Sequence, residues 1–233
     1  MNFFQGIADS FYKALIVQER WKMLLEGLGN TLIIALGATV LGVAIGIVLA
    51  IIKYSADGSK NIVIRILDKI ASIYITVIRG TPVMVQLFIL STAVLVSIRQ
   101  GIIIAIIGMG LNSGAYVAEI IRAGINAVDK GQNEAGRSLG LSKGQTMRYI
   151  ILPQAVKNIL PALGNEFIVL LKETSVVGYI AVEDLTFAAQ RIKTVSYDPT
   201  AFFIAAGVYL VMVIGLTAIL RKIERRLARS DHR

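Results

Sequence analysis

The chain has 233 residues, 55% of them hydrophobic, with no cysteine and a formal charge of +9. Apolar residues gathered in long blocks at a mean hydropathy of +0.70 exclude a soluble domain with alternating faces, and the lack of cysteine excludes disulfide and thiolate-metal schemes. The lone histidine, His232, sits in a basic tail, so no histidine-built metal site is expected, and no basic patch is interleaved with aromatics as nucleic-acid stacking requires.

Residues 1–26 mix Phe3, Phe4, Phe11, Tyr12 and Trp21 with charges of both signs, which predicts an amphipathic helix lying in the outer membrane interface. The segment has no basic n-region followed by a short apolar core, so no cleavable signal peptide is expected. Residues 27–52 contain no charge over 26 positions, and as a helix they would span ~39 Å, more than the hydrocarbon core requires. Within this first span Gly42 and Gly46 have the small-residue spacing that lets membrane helices approach closely. A polar turn over 53–60 leads to an amphipathic approach with Ile62, Ile66 and Ile70 on one stripe.

The second span, residues 70–98, contains Ile78-Arg79-Gly80-Thr81-Pro82. Pro82 removes a backbone donor and disfavours helical geometry at Thr81, so the helix should break there, with Arg79 facing protein or water rather than lipid. A third span over 100–121 carries Glu119, a fourth over 158–182 carries Glu166, Lys172 and Glu173, and residues 199–220 form a charge-free fifth. Between the third and fourth lies the longest connection, residues 126–153: two helical stretches, 129–139 and 142–151, flank a turn in which Gly140 can take the left-handed C-cap and Ser142 the next N-cap. Pro153 and Pro161 punctuate the approach to the fourth span, and residues 222–233 form a basic tail.

Continuous apolarity, not ten-residue alternation, makes these spans helices. The expected fold is an all-α membrane protein of five transmembrane helices, residues 27–221, with a cytoplasmic coupling helix. Sixteen Lys and Arg fall in the loops of one side against six on the other. The excess marks the cytoplasmic side, which puts the N-terminus outside and the C-terminus inside.

Glu134-Ala135-Gly136, then Gly140, then Ile150-Ile151-Leu152-Pro153 follow the spacing E-A-A-x3-G-x9-I-x-L-P. With this motif the chain resembles the integral-membrane permease subunits of ATP-binding-cassette (ABC) importers, Gly136 standing where a second alanine is usual. Arg79-Gly80-Thr81-Pro82 with Gln86-Leu87, Asn112-Ser113-Gly114-Ala115-Tyr116 with Glu119, and Gly164-Asn165-Glu166-Phe167 with Lys172, Thr174 and Ser175 look like the polar amino-acid branch of that family. The likeness runs from about residue 27 to the C-terminus. It implies a type I permease of the bacterial inner membrane that pairs with a second permease copy or homologue. An ABC ATPase dimer, holding ATP and magnesium, and an extracytoplasmic solute-binding protein would complete the assembly. The chain itself would hydrolyse nothing and hold no cofactor. ATPase coupling falls to Glu134, Ala135, Gly136, Ser138, Leu139 and Gly140. Gly131-x4-Gly136-Arg137-Ser138 is one residue short of a phosphate-cradling loop, but no strand precedes it and its amides belong to the helix.

Charges inside spans are costly and mark functional sites. A free amino acid is a zwitterion, so a midplane site needs one cation and one anion. Glu166 and Lys172, six apart on one helix, lie ~9 Å apart axially and ~120° around it. They are expected to border one cavity as a clamp, with Asn112, Tyr116 and Glu119 on the third span and Arg79, Thr81 and Gln86 around the break as further candidates. Pairing of Glu119 with Arg122, and of Arg79 with the helix break, is the packing alternative. An ion-coupled carrier or channel is the alternative function; it predicts inverted repeats and leaves residues 129–151 without a purpose. A membrane enzyme would need a nucleophile–base or metal constellation, which is missing.

Overall fold

The computed structural model describes residues 3–229; His232 and the end of the basic tail lie outside the described residues. Among the described residues every regular element is helical. The α-helices are α1 (Phe3–Leu15), α2 (Trp21–Ala56), α3 (Ile62–Gly80), α4 (Val83–Ile89), α5 (Gly101–Asn126), α6 (Lys130–Ser138), α7 (Lys143–Thr146), α8 (Leu152–Glu173), α9 (Leu185–Ser196) and α10 (Thr200–Arg229), with short 3-10 helices at Val17–Glu19 and Thr174–Ile180. A π-helical turn, Leu90–Val94, continues α4, and another, Met147–Ile151, joins α7 to α8 without a break.

Three helical stretches are long and apolar enough to cross a membrane: Val17–Ala56, Gly101–Asn126 and Thr200–Leu227. The broken pair of α3 with Val83–Val94 makes a fourth when taken as one span. α8 is not among them, because Lys157, Glu166, Lys172 and Glu173 and the internal Pro161 fall within its 22 residues. The chain is thus a multi-pass helical membrane protein. The N-terminal boundary also shifts. α1 ends at Leu15, Gln18 and Glu19 turn the chain at a φ of 53°, and Trp21 opens α2 rather than closing the N-terminal helix. Arg20, nearly buried, holds this corner by donating from Nη1 to the Lys13 carbonyl at 2.8 Å.

The helix break in the second span falls where proline chemistry requires. Thr81 is extended (φ −120°, ψ 145°), Pro82 becomes the N-cap of α4, and Thr81 Oγ1 donates to the Val77 carbonyl at 2.9 Å, satisfying an acceptor that the break would orphan. Pro161, in contrast, stays inside α8. Beside Pro153 the helix is widened, the Leu152 amide reaching back five residues to the Met147 carbonyl.

Two compact units make up the described chain. The first collects residues up to Ala38, Pro82–Met109 and Ile168–Leu216. Its interior is a cluster of Ile34, Leu87, Met109, Leu170 and Val177 and a second of Leu24, Leu185, Ala188, Ile192 and Ala201. Here Asp184, fully buried, caps α9 by accepting from the Thr186 and Phe187 amides at 3.0 and 2.9 Å and takes a third bond from Tyr209 Oη at 3.2 Å. Asp198 caps α10 in the same way, accepting from the Thr200 amide at 2.8 Å. Hydrogen bonds from Thr200, then Ser10, hold its carboxyl below the usual carboxylate range.

The second unit comprises Thr39–Thr81, Gly110–Phe167 and the residues from Thr217 on, around Ile75, Ala115 and Ala118. A tight seam in it is the glycine stripe of α2 against α5. A Cβ on Gly46 would lie 2.4 Å from Val117 Cγ1 and 3.0 Å from the Ala118 amide nitrogen. The obstruction includes backbone and a stiff β-branched side chain, so it cannot be relieved by a rotamer change. Gly46→Val should therefore cost about 3 kcal/mol, read as a collapse in the yield of monodisperse protein in mild detergent. A normal yield and thermal midpoint would show that the seam opens without cost.

Candidate functional site

Arg79 ends α3, and Tyr116 and Glu119 sit one turn apart on α5, all in the second unit. The Arg79 guanidinium lies 5.3 Å from the Tyr116 ring centroid and its Nη1 is 3.6 Å from Glu119 Oε2. Arg122, three residues on, takes both oxygens of the same carboxylate, from Nε to Oε1 at 3.1 Å and from Nη2 to Oε2 at 2.8 Å. One carboxylate thus serves two arginines, and the break in the second span is braced against α5. The bidentate fork is the strong part of this cluster, while both arginine side chains remain about half exposed, at 43% and 50%. Glu119→Gln is expected to destabilise the protein by no more than about 1 kcal/mol, visible as a small fall in thermal midpoint. A large loss of transport at unchanged stability would instead place Glu119 in contact with substrate.

A second polar group lies deeper. Ser113, 1% exposed, donates from Oγ to Glu166 Oε1 at 2.9 Å, linking α5 to α8 inside the second unit. Asn112 beside it is 5% exposed, and Tyr74 of α3 donates to the adjacent Leu111 carbonyl at 2.5 Å. A buried strip of hydroxyl and amide groups ending on a half-buried carboxylate is what a membrane helix carries only where polarity has a use. Ser113 lay within the quoted Asn-Ser-Gly run, but a lone serine gives no signal until α8 supplies its partner. Lys172, exposed in the last turn of α8, and Gln86 of α4 belong to the first unit, whereas Glu166, Asn112, Tyr116, Glu119, Arg79 and Thr81 belong to the second.

The coupling-loop candidates form one exposed motif. Asp129 caps α6 through the Gly131 amide at 2.7 Å. The helix then closes with Gly140 at φ +83°, the Leu141 amide bonding the Gly136 carbonyl at 3.1 Å and the Gly140 amide the Arg137 carbonyl at 3.0 Å. This is the paired closure expected of a left-handed glycine cap. Ser142 opens α7 with a reciprocal box: Gln145 Oε1 accepts from the Ser142 amide at 2.8 Å, and Ser142 Oγ from the Gln145 amide at 3.3 Å. Of the six coupling candidates Glu134, Ala135, Ser138, Leu139 and Gly140 are exposed and Gly136 is buried. A Cβ on Gly136 would meet Thr146 Cγ2 at 2.7 Å and Ile150 Cδ1 at 2.9 Å, so this glycine seats α6 on the following turn instead of facing outward. Leu139 at the tip is 79% exposed.

Long apolar helices, a proline-broken helix pair and a capped, solvent-facing helix–turn–helix between α5 and α8 define the class: a multi-pass integral-membrane protein. Residues 42–229 match the family described as binding-protein-dependent transport system inner membrane component, and the chain belongs to that family. It is 41% identical over 210 or more residues to relatives that include the arginine transport system permease protein of Bacillus subtilis, where 89% of this chain aligns with 94% of the relative. It is 37% identical to the glutamine transport system permease protein of Escherichia coli K12, over 88% and 93% of the two chains. Its fold is similar to a crystal structure of an amino acid ABC transporter with histidines, with a TM-score of 0.83, 40% identity, and 97% and 99% of the chains covered. A methionine ABC transporter in inward-facing conformations shares the fold at a TM-score of 0.76 and 20% identity.

Proposed function

We propose that this chain is the permease subunit of an ABC importer for polar amino acids in the bacterial inner membrane. It would work with a second permease copy or homologue, an ATPase dimer that holds ATP and magnesium, and an extracytoplasmic solute-binding protein. The observation that carries this reading is the α6–α7 motif: its ends are capped, Gly136 locks it to the turn behind, and five of its six coupling candidates face solvent. An exposed leucine on a rigid support is a docking surface, and an ion-coupled carrier would have no use for it. Five spans, with α8 as the fourth despite its charges, put this motif, the α2–α3 turn and the basic tail on the side richer in Lys and Arg. Arg79 and Glu119 brace the broken span, while Glu166, oriented by Ser113, supplies the anion that meets the substrate ammonium.

Purification of the tagged chain from its native membrane, with mass spectrometry of its stoichiometric companions, tests this reading. A nucleotide-binding subunit is expected in the preparation. Recovery of the chain alone, still transporting after reconstitution, would move the function to an ion-coupled carrier.

A further inference from the structure

The α6–α7 motif meets the rest of the second unit by two routes. One is covalent: α6 follows α5 after three residues, and α7 runs through the π-helical turn into α8. The other is side-chain contact: Gln154 Nε2 of α8 donates to Gln132 Oε1 of α6 at 3.3 Å, and Lys143 ties the motif to the end of α2. Lys143, the first residue of α7, reaches the α2–α3 turn 86 residues away and donates from Nζ to the Asp57 carbonyl at 2.8 Å and to Asp57 Oδ2 at 3.1 Å. The same ammonium lies 5.2 Å from the centroid of the Tyr54 ring, in the last turn of α2. Around this contact the wall is open: a cavity of about 700 Å3 lies among Tyr54, Asp57, Asn126, Asn133, Glu134 and Lys143. Glu134 of α6 therefore borders the same space as the end of α2, and Lys143 bridges it.

We infer that Lys143 is a positioning residue of the transport cycle, a strut that transmits displacement of the docking motif to the cytoplasmic end of α2. The turn it grips has a defined shape. Gly58 sits at φ +74°, Asn61 caps α3 by accepting from the Val63 amide at 2.9 Å, and Lys53 ties α2 to α3 through Asp68 Oδ1 at 3.1 Å and Ser72 Oγ at 2.8 Å. A pull on Lys143 thus reaches α2 and α3 together, while α8 is moved through the chain. An exposed ion pair alone adds little to stability, and Lys143 and Asp57 are 52% and 78% exposed. Loss of the strut should consequently leave the fold intact and appear as lost coupling. The strut rests on the reading that α6 docks an ATPase, and that reading is checked in the same preparation.

The test uses the whole complex in proteoliposomes, with uptake and ATP hydrolysis measured in the same vesicles. Lys143→Met is expected to assemble fully and to hydrolyse ATP within about twofold of the unmodified complex, in keeping with an exposed pair. Uptake per ATP should fall roughly tenfold, the scale of a lost charge-assisted hydrogen bond. Lys143→Arg should restore most of the ratio, because a guanidinium can reach both Asp57 oxygens and still lie over the Tyr54 ring. Asp57→Asn, which keeps the backbone carbonyl, should have the smaller effect. Parallel loss of uptake and hydrolysis in Lys143→Met, or an unchanged ratio, overturns the strut. An unmodified complex without an ATPase subunit would overturn the docking reading itself.

Discussion

Glu166→Gln is expected to cut amino-acid uptake roughly tenfold to a hundredfold, the range for one lost hydrogen-bonded charge in a site shielded from water. The substitution is close to isosteric, and the glutamine carbonyl oxygen can still accept from Ser113 Oγ, which lies 2.9 Å from the carboxylate. Helix packing at this point should therefore survive, and the change removes charge without removing shape. A zwitterion entering a low-dielectric passage sheds the water on its ammonium, and an amide returns only part of what a carboxylate does. The expected pattern is a raised KM, with complex yield and thermal midpoint unchanged. Ser113→Ala should act in the same direction but more weakly, by freeing the carboxylate to rotate. If Glu166→Gln instead abolishes assembly at normal expression, Glu166 is a packing residue and the ammonium is met elsewhere.

What was legible in the sequence divides by the range of the interactions involved. The break at Pro82, the glycine stripe at Gly42 and Gly46, and the turn from Gly140 to Ser142 all lie where the sequence puts them, because each is decided within one helical turn or by the size of one residue. The pairing of Glu119 with Arg122 was also readable, since three residues along a helix bring side chains together. Errors arose where tertiary context overrides local chemistry. Pro153 and Pro161 read as punctuating the approach to the fourth span, yet α8 begins at Leu152 and runs through both. The aromatic run near the N-terminus reads as one helix, yet positive φ at Gln18 and Glu19 splits it. Gly136 stands with the coupling residues on its motif position alone, and its packing against Thr146 and Ile150 depends on how α7 folds back, which the motif does not encode. The Lys143–Asp57 contact had no signal at all, since nothing in either segment encodes a partner 86 residues away.

Leu139→Asp should abolish recovery of the ATPase subunit with the permease while leaving the permease folded. Leu139 is 79% exposed and its amide, bonded to the Ala135 carbonyl at 3.0 Å, is unaffected by the side chain, so a stability change within about 0.5 kcal/mol is expected. In the complex the same position would be the apolar centre of the contact, flanked by Ser138 and the flat backbone at Gly140. A carboxylate buried there without a partner should cost about 2–4 kcal/mol, the scale of an interface hot spot, or roughly thirtyfold to a thousandfold in affinity. Gly140→Val separates shape from contact. At φ +83° a β-branched residue is strained by about 1–2 kcal/mol, which should distort the turn and weaken docking without introducing a charge. Both variants should lower ATPase recovery, Leu139→Asp more severely and Gly140→Val with a loss of permease thermal stability as well. Full recovery of the ATPase with Leu139→Asp would show that the partner engages Glu134 and Ala135 without covering the tip, and the docking face would have to be redrawn along α6.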